Sequence, residues 1–419
     1  MRSIVRWLAV AAGLAAWIAV RGAAAQDDTS SALLHVGRMQ DRQRESRQVE
    51  EETLASEIDG AVARYLKAKK EIRRDTGLWY SMKVSATTQW GTPADGQTAV
   101  QGLFTPDVEW HAFKDERWGS GSFQFSYLNA QYWSRQSAAS LQGTLGLNSP
   151  LNDYTVNTQF FQQVSYTHHV SGPGLGVALT VGQYSFQNFD GNAYANDQQT
   201  SFVSNSLSQN GSQAYSQGGL GAYVHLYPTS EFVLAAGFQD GNNPSGSYIQ
   251  FNTFGQGQYA WFLYGGWRPT IPGLGKGHYS LLYYNLPAVW AQPLPSEGWS
   301  FNASQSVTPQ LGLFVRANTA HNSPFQVQSS VGAGAVYRNP LGRDTLDRIG
   351  VAVAWNQTNQ ATYATSYARP SETYAEIYWS WAVYRRLILT PDLQFYLQPA
   401  LAPSQQAAAV FTLRLTRLF

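Results

Sequence analysis

Leu78-Trp79-Tyr80-Ser81-Met82-Lys83-Val84-Ser85-Ala86-Thr87-Thr88-Gln89-Trp90 is the stretch whose reading decides the fold. In an extended chain Leu78, Tyr80, Met82, Val84, Ala86 and Trp90 share one face, and Trp79, Ser81, Lys83, Ser85, Thr87 and Gln89 share the other. An alternating run of about 13 residues exceeds the usual globular strand and suits a tilted crossing of a bilayer. The pattern recurs at Ser120–Tyr132, Leu175–Ser185, Leu220–Leu226, Trp299–Val307, Leu311–Ala317, Arg348–Gln357 and Glu372–Val383. In the last segment Ala409, Phe411, Leu413, Leu415 and Phe419 lie on one side, with Thr412, Arg414 and Thr416 on the other.

The punctuation between these segments comes in two sizes. Short turns stand at Ser171–Gly174, Tyr227–Ser230, Val307–Gln310, Asn339–Gly342 and Tyr384–Arg386. Long polar stretches rich in Asn, Gln, Ser and Gly stand at Ser134–Val156, Gln187–Ser216, Gly241–Gly255 and Asn356–Ser371. Short turns at one end and long loops at the other are the habit of an outer-membrane β-barrel, and the segments give about 16 strands.

The 419 residues include no cysteine, 43% are hydrophobic, 14% aromatic and only 13% charged. Ordinary soluble chains are about one quarter charged. A mean hydropathy of −0.30 excludes a bundle of apolar helices. The absence of cysteine excludes disulfide scaffolds, thiol nucleophiles and cysteine-held metals. A net charge of +1 gives no electrostatic reason to expect nucleic acid as a partner.

Charge is unevenly placed. Residues 1–25 read as a signal peptide: Arg2 and Arg6 precede an uncharged run from Trp7 to Val20, and Ala23-Ala24-Ala25 offers a cleavage site. Residues 26–75 hold 21 charges in 50 positions, 10 basic and 11 acidic. There Leu54, Ile58, Ala61, Tyr65, Ala68 and Ile72 follow heptad spacing, which fits a short coiled coil or one amphipathic helix lying against a larger body. Residues 76–419, the expected barrel, carry 15 basic and 16 acidic residues. Lipid facing half the side chains explains that scarcity: charge is excluded from the outer wall, and a closed barrel is the β arrangement that pairs every backbone group. A soluble β-sandwich would alternate too, but needs neither a signal peptide nor a terminal aromatic such as Phe419, the expected assembly signal for barrel-insertion machinery.

Catalytic patterns are absent. The seven histidines show no H-E-x-x-H spacing, and His168 and His169, being adjacent, face opposite sides of a strand. The glycine runs Gly172–Gly176 and Gly273–Gly277 lack the G-K-[ST] ending of a phosphate loop and read as hairpin turns. No enzyme, cofactor or metal is expected. The chemistry left is that of the inner wall. Parity places there Lys83, then Phe314, Arg316 and Asn318, then Glu372, Tyr374, Glu376 and Tyr378, then Thr390, Asp392, Gln394 and Tyr396, and finally Arg414. Charges of both signs between aromatics suit a hydroxyl-rich solute, since planar polar groups bond hydroxyl pairs and rings stack on sugar faces. Each of these residues equally suits an ordinary solvated lumen.

Glu372-Thr373-Tyr374-Ala375-Glu376-Ile377-Tyr378, the run Leu387 to Phe395 containing Thr390-Pro391-Asp392-Leu393-Gln394, and the closing strand to Phe419 resemble the C-terminal signature of the carbohydrate-selective porins of the OprB type. Leu311–Arg316 is similar to that family's pore strand, and the likeness spans about Gly298 to Phe419. The resemblance implies a 16-stranded barrel in the outer membrane of a Gram-negative bacterium, with a constricted channel for passive diffusion of mono- or oligosaccharides. By position it puts Arg316, Glu376, Asp392 and Gln394 on the lumen wall. Outer-membrane lipid and the insertion machinery are the other expected partners, and a homotrimer is one assembly such a barrel could form. A polysaccharide-export pore and a structural or adhesive surface barrel are the competing functions.

Overall fold

The computed structural model describes residues 47, 50, 51, 60–94, 96–172, 175–212, 215–290, 293–361, 368–384 and 386–419. The expected signal peptide, and Leu54 and Ile58 of the heptad pattern, lie outside these residues. Sixteen long strands form the wall: β1 Leu78–Thr92, β2 Thr98–Asp115, β3 Gly119–Tyr132, β4 Thr158–Gly172, β5 Leu175–Tyr184, β6 Gly219–Tyr227, β7 Phe232–Asp240 and β8 Tyr259–Trp267. They continue as β9 Gly275–Leu286, β10 Ser296–Ser306, β11 Leu311–His321, β12 Val327–Arg338, β13 Arg348–Thr358, β14 Ser371–Tyr384, β15 Leu387–Leu397 and β16 Ala407–Leu418. A two-residue ladder at Thr270–Ile271 extends the β8–β9 turn.

Each strand pairs antiparallel with the next, and β16 returns to β1 in register from Lys83↔Leu418 to Thr92↔Ala409. The sheet has no free edge, as a hydrocarbon environment requires. The period-two burial is strict in β14, where Glu372, Tyr374, Glu376 and Tyr378 are buried and Ile377, Trp379 and Trp381 are exposed. The outward face of β16 likewise shows Phe411, Leu413 and Leu415, and its inward face buries Thr412, Arg414 and Thr416. Moving a Lys or Arg to the outer face at mid-membrane would cost about 2–4 kcal/mol, which is why the few charges sit inward or at the rims.

One end of the barrel is marked by the chain terminus. Helix α1, Ala61–Thr76, precedes β1, and Phe419 N–H donates to Met82 O at 2.9 Å on the same rim. The helix ends at Gly77, whose φ of +72° and Cβ-excluding contact with His111 O admit no side chain without strain. Among the described residues Ala61–Thr76 is an amphipathic helix against β1, with a face down that the heptad pattern does not mark. Val62, Ala63, Leu66 and Lys69 are buried, whereas Ala61, Tyr65, Ala68 and Ile72 of the heptad stripe are exposed. Lys69 caps this rim: its Nζ donates to Glu50 Oε1 at 2.6 Å and to Phe419 O at 3.4 Å and lies over the Tyr80 ring.

At the opposite rim the long connections do not all project away from the barrel. Residues 138–154, which contain helix α2 (Ala138–Leu145), and residues 185–212 and 215–218 fold into the lumen. Helix α2 starts with a capping box between Ser137 and Ser140, and Leu141, Leu145, Leu147 and Leu151 are completely buried. Between Phe186 and Ser212 nearly every residue is buried, although regular structure there is limited to two four-residue helical turns, Phe186–Phe189 and Asn205–Ser208.

Candidate pore lining

Several charged lumen-facing side chains bind the inner loop, residues 185–212 and 215–218. Four anchors hold it. On β10 and β11, Asp190 is the hub: its Oδ1 accepts from Ser300 Oγ and Asn302 Nδ2, both at 2.6 Å, and lies 3.5 Å from Arg316 Nη1. Its Oδ2 accepts from Tyr215 Oη at 3.1 Å, and Arg316 Nη2 donates to Ala195 O at 3.2 Å. On β1, Lys83 forms an ion pair with Asp197. Gln199 extends this anchor, donating to Ser85 Oγ and accepting from Thr105 Oγ1 on β2. On β16, Arg414 Nη1 donates to Ser201 O at 2.9 Å and to Gln198 O. On β14, the Glu376 carboxylate accepts from Val203 N–H at 2.5 Å and Ser204 N–H at 3.2 Å.

Charged wall groups therefore meet backbone groups that an irregular segment would otherwise leave unpaired. The loop passes from the β10–β11 wall at Asp190 to the β1–β2 wall at Asp197 and on to β14 at Val203, so it crosses the bore. It also reaches deep. The Tyr194 ring lies against Gly312, at the turn end of β11, where an added Cβ would overlap it, and the Arg338 guanidinium stands 5.2 Å from its centroid.

Aromatics seat the loop on both sides. Phe202 packs against Phe314 at 5.3 Å and edge-on to Tyr378 at 4.9 Å. Tyr374 stacks on Tyr396 at 4.8 Å and donates to Ser204 Oγ at 2.8 Å. Across the barrel Phe186 and Phe189 pack on Phe262, with Tyr184, Tyr223 and Tyr264 around them. The second infolded segment is tied to the same wall: Asn148 N–H donates to Glu372 Oε2 at 3.2 Å, and Gln394 Nε2 donates to Leu151 O at 3.2 Å.

The structure places Phe314, Arg316, Glu376, Tyr378, Asp392, Gln394 and Arg414 at buried positions on the lumen side, with Lys83 nearly so. Glu376, Gln394, Tyr378 and Asp392 form two directly paired couples across β14 and β15. Arg316, Glu376, Arg414 and Lys83 are brought together through the inner loop. The sequence reading did not find the loop side of this arrangement: Asp190, Asp197, Gln198, Gln199 and Tyr194. One signal was available, because Gln187–Ser216 carries only two charges, both acidic, inside a charge-poor barrel that must supply their counter-charges. The adjacent histidines separate, His169 into the lumen and His168 outward, where Tyr166 Oη meets its Nδ1 at 3.1 Å. Among the described residues no group of three or more His, Asp or Glu could hold a metal ion.

The chain is similar to known porins. The profile described as carbohydrate-selective porin, OprB family, matches residues 291–419. Porin AaxA of Chlamydia abortus is 33% identical over 351 residues, which cover 82% of this chain and 78% of that protein. Porin AaxA of Chlamydia pneumoniae is 33% identical over 352 residues, covering 82% and 80%. Among solved structures, the high-pH form of Pseudomonas putida OprB superposes with a TM-score of 0.67 at 16% identity, covering 84% of this chain and 96% of that one, a likeness of fold. With its closed 16-stranded barrel and these relatives, the chain belongs to the OprB family of porins and resides in the outer membrane of a Gram-negative bacterium.

Proposed function

We propose that the chain is a pore for passive, sugar-selective diffusion of carbohydrates into the periplasm, with the inner loop setting the constriction. The observation that carries this reading is the loop's mounting. Arg316, Glu376, Arg414 and Lys83 spend their charge on Asp190, Asp197 and loop backbone, which leaves an amide- and hydroxyl-rich surface of Gln, Asn, Ser and Tyr against the bore. Such a surface bonds hydroxyl pairs without demanding charge from the solute. Family membership supports carbohydrate as the solute class. Diffusion down a gradient needs no catalytic group.

The test is single-channel current through purified protein in planar bilayers, titrated with mono-, di- and trisaccharides. The expected result is concentration-dependent block whose strength depends on the sugar. Unchanged current at high sugar concentration would refute it.

One observation favours a second reading, a pore preferring positively charged solutes. The lumen side carries Asp107, Glu109, Glu372, Glu376 and Asp392 from the wall and Asp190 and Asp197 from the loop, against Lys83, Arg316 and Arg414. Arg47 offsets one of these acids, pairing with Glu109 at 3.0 Å. A low-dielectric bore focuses such an imbalance. A reversal potential in a KCl gradient separates the two: weak selectivity supports the sugar pore, strong cation selectivity supports the second reading.

A further inference from the structure

Helix α1 carries two apolar stripes, and the barrel uses one. At 3.6 residues per turn, Val62, Leu66 and Lys69 turn toward the rim, while Ala61, Tyr65, Ala68 and Ile72 form a separate stripe left exposed, Tyr65 by 37% and Ile72 by 39%. The direction of the exposed stripe is fixed by what it touches. Tyr65 hydrogen-bonds Tyr80, whose side chain lies on the outward, lipid-facing side of β1. At the helix's other end, Trp110 Nε1 donates to Thr76 O at 3.1 Å. Trp110 belongs to the outward aromatic girdle at this rim, stacked 5.7 Å from Phe123. Aromatic girdles mark the level at which hydrocarbon gives way to headgroups, so the unused stripe begins at that level and on the lipid side.

The charge of the helix is equally specific. Arg64, Lys67, Lys70, Arg73 and Arg74 are all exposed on α1, against only Glu71 and Asp75. A chain with a net charge of +1 thus concentrates basic residues on one short helix. An amphipathic helix with a basic polar face and a Tyr/Ile-bearing apolar stripe has the composition of a segment lying in a membrane interface.

We propose that α1 is a membrane-surface anchor that lays Tyr65, Ala68 and Ile72 into the periplasmic leaflet and holds anionic phospholipid headgroups with Arg64 and Lys67. The occupant is lipid because the stripe continues the lipid-facing wall and the basic residues flank it. Near an anionic surface each basic residue contributes about fivefold to the lipid-bound population.

The absence of native cysteine permits a direct test in the full chain. Ala68→Cys and Lys70→Cys proteins are labelled with a small fluorophore and placed in nanodiscs of phosphatidylcholine, alone or mixed with phosphatidylglycerol. With phosphatidylglycerol present, the label at position 68 is expected to be quenched several-fold more by brominated acyl chains than by iodide, and the label at position 70 the reverse. Arg64→Glu with Lys67→Glu should abolish the dependence on phosphatidylglycerol. All these substitutions lie on α1 and leave the strands intact, and heat-modifiable gel migration verifies the folded barrel. Three results overturn the proposal: a position-68 label open to iodide in both lipids; disulfide cross-linking of the unlabelled Ala68→Cys protein between two barrels, which makes the stripe a contact between copies; or shielding that appears only when purified peptidoglycan is added, which makes the partner a cell-wall polymer.

Discussion

Asp190→Asn is the substitution that most directly questions the inner loop. It keeps the shape of the side chain and removes its charge. In the native protein one carboxylate oxygen accepts from Ser300 and Asn302 at 2.6 Å and faces the Arg316 guanidinium at 3.5 Å, and the other accepts from Tyr215, with Asp190 and Arg316 both fully or nearly fully buried. Hydrogen bonds to a charged group are worth about 1.5–3 kcal/mol each, and removing one member of a buried pair costs about 3–5 kcal/mol. The losses overlap, so about 3–5 kcal/mol of loop docking is at stake, a factor of about one hundred to a few thousand in the docked population. The other three anchors stay in place, so release is confined to the segment around residues 186–196. Hydrogen exchange read by mass spectrometry should show protection there falling by up to that factor, with protection of β10 and β11 unchanged. Single-channel conductance should rise and become noisier. Unaltered exchange in 186–196 together with unaltered conductance would refute the claim that Asp190 holds the constriction.

Three further outcomes are expected. Gly312→Val places a side chain where the Tyr194 ring lies, forcing the ring off the wall, and should change conductance while the barrel still assembles by gel migration. Glu376→Ala and Arg316→Ala each remove a loop anchor and should alter sugar flux in a swelling assay without preventing assembly; if neither changes flux, these residues do not shape the path. Burial lowers the Lys69 amine from the ordinary lysine range, an effect the Glu50 carboxylate partly opposes, and Arg386 adds to the lowering. Tyr80, Trp79 and the terminal Phe419 also face it. Because the docked helix holds the proton less tightly than a free lysine does, docking should strengthen as pH rises from neutrality toward the ordinary lysine range. Mobility of a label on α1 that increases over that interval would contradict this.

What was legible in the sequence depended on what each wall segment faces. β1, β14 and β16 put polar groups inward and apolar groups outward, so period two reads directly, and with it the inward parity of Lys83, Glu376 and Arg414. β7, β8 and β9 were not singled out, because their inward positions include Val233, Ala235, Phe262 and Leu282, buried among the aromatics at the root of the inner loop. Apolar groups on both faces erase the alternation. The inner loop itself read as a solvated connection because its partners are polar side chains far away in sequence. Nothing local distinguishes an asparagine that meets water from one that meets the wall. The heptad stripe of α1 was visible, but the face that docks is defined by Trp79, Tyr80 and Phe419, which helical periodicity cannot see.

Liposome swelling measures the central claim most directly. Purified protein in liposomes is diluted into isosmotic solutions of neutral sugars of increasing size, beside a small uncharged non-sugar solute and a salt. A passive sugar-selective pore constricted by the inner loop predicts swelling that falls with sugar size and exceeds that for other neutral solutes of equal size. It also predicts that Asp190→Asn raises the size at which swelling stops. Swelling with salts but not with sugars, or an unchanged size limit in Asp190→Asn, would contradict the account.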